Sequence, residues 1–331
     1  MMQRTPIRAA LVFGIVLSVL LTGYVVAAPL SNPTWISGIQ VQNLDPINTA
    51  NITITYYNSD GSQNASQADT ISPGQSKTYF GNSMAAGSGF AGSAVVSSDT
   101  KVAAIVNETA SNPTMAESYD GVSSTATANT LYVPLVMKNN GGWSTTIYLQ
   151  NAGSSDATNV QLTFNGTSNF VYTIPTIKAG ASFVLPQATM SQMGTKWIGS
   201  VTVNSNQPVA ASINETNGSV LLAYSATTSG GSKVYAPLLM NNNKGWYTGF
   251  QVMNVGSSAA TVNLKINGNQ VDQVVIPAGN SKTWYPIPGM PSTVAGGSAE
   301  GATGTEQLVG IVNEINATSG DNSMSYEAIN Q

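Results

Sequence analysis

The chain has 331 residues, 42% hydrophobic and only 8% charged, with 11 basic and 15 acidic side chains, no histidine and no cysteine. Those absences exclude Ser-His-Asp catalysis, imidazole bases, thiolate nucleophiles, disulfides and every metal site built on His or Cys. A net charge of −4, with Arg4 and Arg8 the only arginines, excludes the basic face and guanidinium forks that nucleic acid requires.

In chain order, Arg4 and Arg8 precede an apolar run from Ala9 to Val26, and Val25-Val26-Ala27 has the small-residue pattern of a cleavage site. This predicts a secretory signal over residues 1–27, cut after Ala27 because cutting after Ala28 would place Pro29 first. The other reading is a retained anchor. Cleavage leaves nine lysines as the only cations and no polybasic patch, so no membrane contact is expected of the mature chain.

Three stretches then repeat at intervals of about one hundred residues. Trp35-Ile-Ser-Gly-Ile-Gln-Val-Gln-Asn43, Trp143-Ser-Thr-Thr-Ile-Tyr-Leu-Gln-Asn151 and Trp246-Tyr-Thr-Gly-Phe-Gln-Val-Met-Asn254 each alternate apolar and polar residues, as a half-buried strand does. Ile71-Ser-Pro-Gly-Gln-Ser76, Ile177-Lys-Ala-Gly-Ala-Ser182 and Ile276-Pro-Ala-Gly-Asn-Ser281 follow, and Pro or Ala before Gly predicts a type II turn. Each copy closes with a Gly-Ser strand, starting at Gly92, Gly199 or Gly297, and then a strand ending in Asn-Glu. Short strands with a turn every 8 to 12 residues predict an all-β protein of three tandem antiparallel sandwiches, at 28–127, 128–230 and 231–331. Each is expected to close its own core, giving a rod. Thr130 to Met137 and Val234 to Met240 open the second and third repeats, whereas the first has only Ala28-Pro29-Leu30 in that place; the expectation is a sheet edge blocked by Pro29 and Pro33, the alternative an unfilled edge open to a strand from another chain.

The strand, turn and Gly-x-Ser pattern resembles the bacterial cell-adhesion-related Ig-like domains. With Tyr-x-Pro-Leu-x-Met, Gly-Trp and Val-Asn-Glu added, it also resembles tandem repeats of exported proteins of the Chloroflexi type. The resemblance implies Ig-like folds, a secreted or cell-surface location, and a non-catalytic structural or adhesive role without cofactor or metal. The partners it implies are other surface proteins, cell-wall or extracellular polysaccharide, or the protein itself. Polysaccharide binding and a filament or matrix assembled by strand exchange are the alternatives.

Trp35, Trp143 and Trp246 are expected in the cores, because burying an indole contributes several kcal/mol at about 25 cal/mol per Å². Tyr79-Phe80 and Trp284-Tyr285 are adjacent on strands, so one ring of each pair faces outward and is a candidate ligand platform; Phe183-Val184 is taken as the counterpart in the second repeat. Asn107-Glu108, Asn214-Glu215 and Asn313-Glu314 form a repeated polar pair, expected to be structural, with each Glu at the end of a core stripe accepting backbone N–H groups. A calcium site is disfavoured because Glu117 and Asp120 have no counterpart pair in the second repeat. An isopeptide bond is disfavoured because Phe183 replaces Lys77 and Lys282. Gly74-Gln-Ser-Lys-Thr78 and Gly279-Asn-Ser-Lys-Thr283 lack the first glycine and the following helix of a phosphate loop.

Overall fold

The computed structural model describes residues 13–17, 34–87, 89–291, 293–316 and 320–331. These build an all-β, β-sandwich-like architecture of antiparallel sheets. The first third carries β1 (Phe13–Leu17), β2 (Thr34–Asn43), β3 (Ala50–Asn58), β4 (Gln63–Ile71), β5 (Ser76–Phe80), β6 (Gly92–Ser98), β7 (Val102–Ser111), β8 (Met115–Asp120) and β9 (Val122–Ser123). The second carries β10 (Ala128–Lys138), β11 (Ser144–Asn151), β12 (Ala157–Gly166), β13 (Phe170–Ile177), β14 (Ser182–Pro186), β15 (Trp197–Thr216) and β16 (Leu221–Ser225). The third carries β17 (Lys233–Asn243), β18 (Trp246–Asn254), β19 (Ala260–Ile266), β20 (Asn269–Ile276), β21 (Ser281–Trp284), β22 (Val294–Gly301), β23 (Leu308–Asn316), β24 (Ser323–Glu327) and β25 (Ile329–Asn330).

One strand plan serves all three thirds. In the first, β4-β3-β6-β1-β9 form one sheet and β5-β2-β7-β8 another. In the second, the 20-residue β15 serves both layers, pairing β12 and β10 along its first part and β11 and β16 along its second. In the third, β22 and β23 divide those roles, and pairing of β17 with β18 joins the layers into a nine-stranded sheet.

Cross-strand register fixes the equivalences. Ile54 lies opposite Val96, Leu162 opposite Val203 and Leu264 opposite Ala299. Ala299 therefore stands at the Val203 position, and Ala295, not Gly297, matches Gly199, two residues from the match that the Gly-Ser motif suggested. The same register locates the first strands: Ile15 pairs with Val96 as Leu131 pairs with Val203 and Val234 with Ala299. On the other edge Val16 meets Val122 as Tyr132 meets Thr227 and Tyr235 meets Ile329. The sheet edge that lacks a counterpart at Ala28 to Leu30 is thus filled by Phe13–Leu17, which lies within the apolar run Ala9 to Val26. The remainder of the expected signal, with Ala28, Pro29 and Leu30, lies outside the described residues.

Alternation accounts for the layers. On β3, Ala50, Ile52, Ile54 and Tyr56 are all buried while the residues between them are not. The expected turns close by hydrogen bonds from Gln75 N–H to Ser72 O, Ala181 N–H to Lys178 O and Asn280 N–H to Pro277 O, at 3.0 to 3.1 Å. Gly180 and Gly279 take the third position at φ of 76° and 72°, a conformation that a Cβ would strain.

Each third has its own buried apolar cluster, but the clusters do not respect the repeat boundaries. Ile311 of the third packs in the core of the second, and Ala223 of the second in the core of the first. Trp35, Trp143 and Trp246 are half-buried and not core residues, a correction to the sequence reading. Trp35 and Trp246 pair at strand ends, with Ala110 and Asn316, and Trp143 precedes β11; Trp35 packs against buried Ala110, Met115 and Leu221, and Trp143 packs at the margin of the second core. The buried indoles are Trp197 and Trp284.

Candidate functional site

Val106, Ile213 and Val312 point into their cores, so the residues that follow, Asn107, Asn214 and Asn313, point outward, and Glu108, Glu215 and Glu314 point back. Outward should mean solvated, yet Asn214 and Asn313 are buried while Asn107 is exposed. The cause is packing between thirds. Asn214 Nδ2 donates to Glu108 Oε2 at 2.7 Å, and Asn313 Nδ2 donates to Glu215 Oε2 at the same distance. Glu108 and Glu215, expected to meet backbone N–H groups, instead each receive a side-chain amide from the following repeat. Neighbouring asparagine and glutamate in sequence belong to successive joints.

Other contacts recur at both joints. Ser93 Oγ donates to Gly180 O at 2.7 Å, and Ser200 Oγ donates to Gly279 O at 2.8 Å. Ser93 lies opposite Tyr57 and Ser200 opposite Asn165. A Cβ on Gly180 would stand 2.8 Å from Tyr57 Cε1, and one on Gly279 would stand 2.8 Å from Asn165 Nδ2. The type II turn of one repeat therefore seats against the sheet end of the one before, and glycine is needed there for φ and, at Gly180, for space against the Tyr57 ring as well. At the second joint Gln251 Nε2 also donates to Gly199 O at 3.2 Å and to Pro134 O. Asp321 ties three repeats together, accepting the N–H of Ala116 at 2.6 Å and of Leu221 at 3.0 Å.

Burial pushes the carboxyl of Glu108 up to about 7 and that of Glu215 to about 8; the asparagine amides oppose this, and the nearby Glu117 adds to it for Glu108. Burial also raises Glu314. Glu108 Oε1, Glu215 Oε1, Asn214 Oδ1 and Asn313 Oδ1 are buried with no hydrogen-bond partner. Protonation of each glutamate removes the buried charge while Oε2 still accepts the asparagine amide.

Tyr79 and Trp284 are buried, and Phe80 and Tyr285 are 52% and 59% exposed. Tyr79 lies opposite Ile39, Leu185 opposite Ile147 and Trp284 opposite Phe250, so the second repeat has Leu185-Pro186 in this slot, not Phe183-Val184. Phe80 pairs with Gly38 and its ring lies 3.0 Å from where a Cβ would be, so the ring covers a bare glycine. Tyr285 borders a shallow hollow with Met240, Tyr247, Ile287 and Met290. Lys77 is ion-paired to Asp69 at 2.7 Å.

One polar set carried a signal in the sequence but no assigned role. Asn43, Asn151 and Asn254 end the Trp strands, and each is buried with Nδ2 donating to two carbonyls, those of Asn48 and Ile71, Ser155 and Ile177, and Ser258 and Ile276, at 2.7 to 2.9 Å. They lock the loop after each strand. No protein-family model and no curated protein matches the chain.

Proposed function

We propose that the chain is an exported, non-catalytic structural or adhesive protein in which three Ig-like sandwiches form a stiff array displayed at the cell surface or in the extracellular matrix. The observation that carries the reading is the use of four of the six repeated polar residues: Glu108, Asn214, Glu215 and Asn313 join one repeat to the next and are enclosed there, where a substrate has no access. The leader, the low charge and the freedom from cysteine fit export and a neutral surface. The stiffness comes from joints that are buried and hydrogen-bonded, unlike the mobile contacts usual between domains of one chain. In a producing strain with the gene deleted, the wild-type chain should restore surface attachment, and the Asn214→Asp, Asn313→Asp double variant should not, because each change sets a carboxylate against a buried glutamate. Undiminished attachment with that variant overturns the reading. Exposure of Phe80 and Tyr285 favours a second reading, polysaccharide binding; Tyr285→Ala would then lower retention on the glycan while leaving the joints intact.

A further inference from the structure

The two joints are copies of one interface, made by the Glu-bearing end of one repeat and the Asn-bearing face of the next. Among the described residues both halves stand uncovered, at opposite ends of the array. On the Asn-bearing face of the first repeat, Gln42, Ala103 and Asn107 are exposed, whereas Gln150, Ala210 and Asn214 in the second and Met253, Val309 and Asn313 in the third are buried. Register makes these the same positions: Gln42 lies opposite Ala103, Gln150 opposite Ala210 and Met253 opposite Val309. At the other end, Leu238 is 42% exposed while Leu135, which like it has its carbonyl bonded by a tyrosine hydroxyl, is 5% exposed. Met324, opposite Glu314, is 50% exposed, while Leu222, opposite Glu215, is fully buried. Glu314 itself is only 2% exposed, and its Oε1 is buried without a partner, as at the two internal joints. In those joints the neighbouring Oε2 takes the amide.

We propose that the Glu314 end of one molecule docks on the Asn107 face of a second copy of this chain, repeating the internal joint between molecules. The interface is heterologous, head to tail, so each docked copy presents a new free end, and growth continues as a filament unless the rotation per copy closes a ring. This extends the array reading above and rests on it, with a different mode of assembly from strand exchange: side chains pack and no strand leaves its sheet. The intermolecular joint is the weaker one. Gly296 holds the place of Ser93 and Ser200, next to Ala295, so one hydroxyl bond is lost, and association of separate chains carries an entropy cost that a tethered joint avoids.

Sedimentation velocity of the purified protein over a wide concentration range tests the proposal. Asn107→Asp, at an exposed position, places a carboxylate against Glu314 of the neighbour and inactivates one end; Met324→Lys, also exposed, inactivates the other. The wild type should grow in mass with concentration, each variant alone should stay monomeric, and an equimolar mixture should form dimers and nothing larger. Circular dichroism matching the wild type shows that both variants are folded. A wild type that stays monomeric throughout, or variants that associate as the wild type does, overturns the proposal. Either result leaves the array reading standing if Asn214→Asp, Asn313→Asp still abolishes surface attachment.

Discussion

Glu215 accepts the amide of Asn313 on Oε2 and leaves Oε1 without a partner, fully buried between two repeats. Burial raises its folded-state pKa from the ordinary carboxylate range to about 8, and that of Glu108 to about 7. The folded protein therefore holds protons that the unfolded chain has released, and stability falls as pH rises wherever the folded state binds more protons. The fall begins near the ordinary carboxylate range and levels off above about pH 8. A tenfold change in proton affinity is about 1.4 kcal/mol, so the two sites together are worth several kcal/mol at the order-of-magnitude level. Glu215→Gln keeps an acceptor for Asn313 and cannot ionise. Urea unfolding should show the wild type more stable at pH 5 than at pH 9, and the variant with a smaller difference between the two. A variant with the full wild-type pH dependence would remove Glu215 from this account.

At the scale of strands, the period-2 runs and the Gly-containing turns were legible because they depend on neighbours in sequence. β2, β11 and β18 lie where the Trp motifs predict, and the three turns have the predicted type. Register was less legible. Gly297-Ser repeats the motif of Gly199-Ser, yet β19 pairs so that Ala295 takes the glycine's place, a choice made by strands some thirty residues away in sequence. The joints were legible as repeated residues and not as contacts, since Asn214 and Glu108 come together only when two repeats pack. The tryptophans mislead for a related reason: size argues for the core, but position along the strand decides. β1 shows the same limit, because an apolar run reads as a leader whether or not part of it also completes a sheet. Removal of residues 1–27 would leave β6 and β9 without the strand between them, exposing unpaired N–H and C=O groups. Joining a copy of Thr130 to Met137 ahead of Pro29 should then refill the slot, since Leu131 and Val133 pair with Val203 and Val201 as Ile15 and Leu17 pair with Val96 and Ala94. Hydrogen exchange of β6 amides reads the result directly: protection lost on truncation should return with the added strand. Full protection in the truncated chain would show that β1 does not complete this sheet.

In the whole molecule, stability divides into what each repeat supplies and what the joints add. The sequence suggests a rod of independent cores, and the shared residues argue against independence. Ile311 completes the second core from the third repeat, and Ala223 completes the first from the second. The second repeat thus contributes to both joints, and unfolding it exposes buried surface on both neighbours, including the glutamate of the first and the asparagine of the third. Trp197 is the place to test this. It is fully buried, its Nε1 donates to Ser168 O at 2.9 Å, and its ring meets Phe164 and Phe170 edge-on within 6.3 Å, all inside the second repeat. Trp197→Ala should remove about 3 to 5 kcal/mol from that core. If the joints couple the repeats, calorimetry will show the whole array unfolding at a lower temperature, with first and third repeats following the second. If the outer repeats keep wild-type transitions while the middle one melts alone, the joints add too little to couple the array, and the proposed stiffness loses its basis.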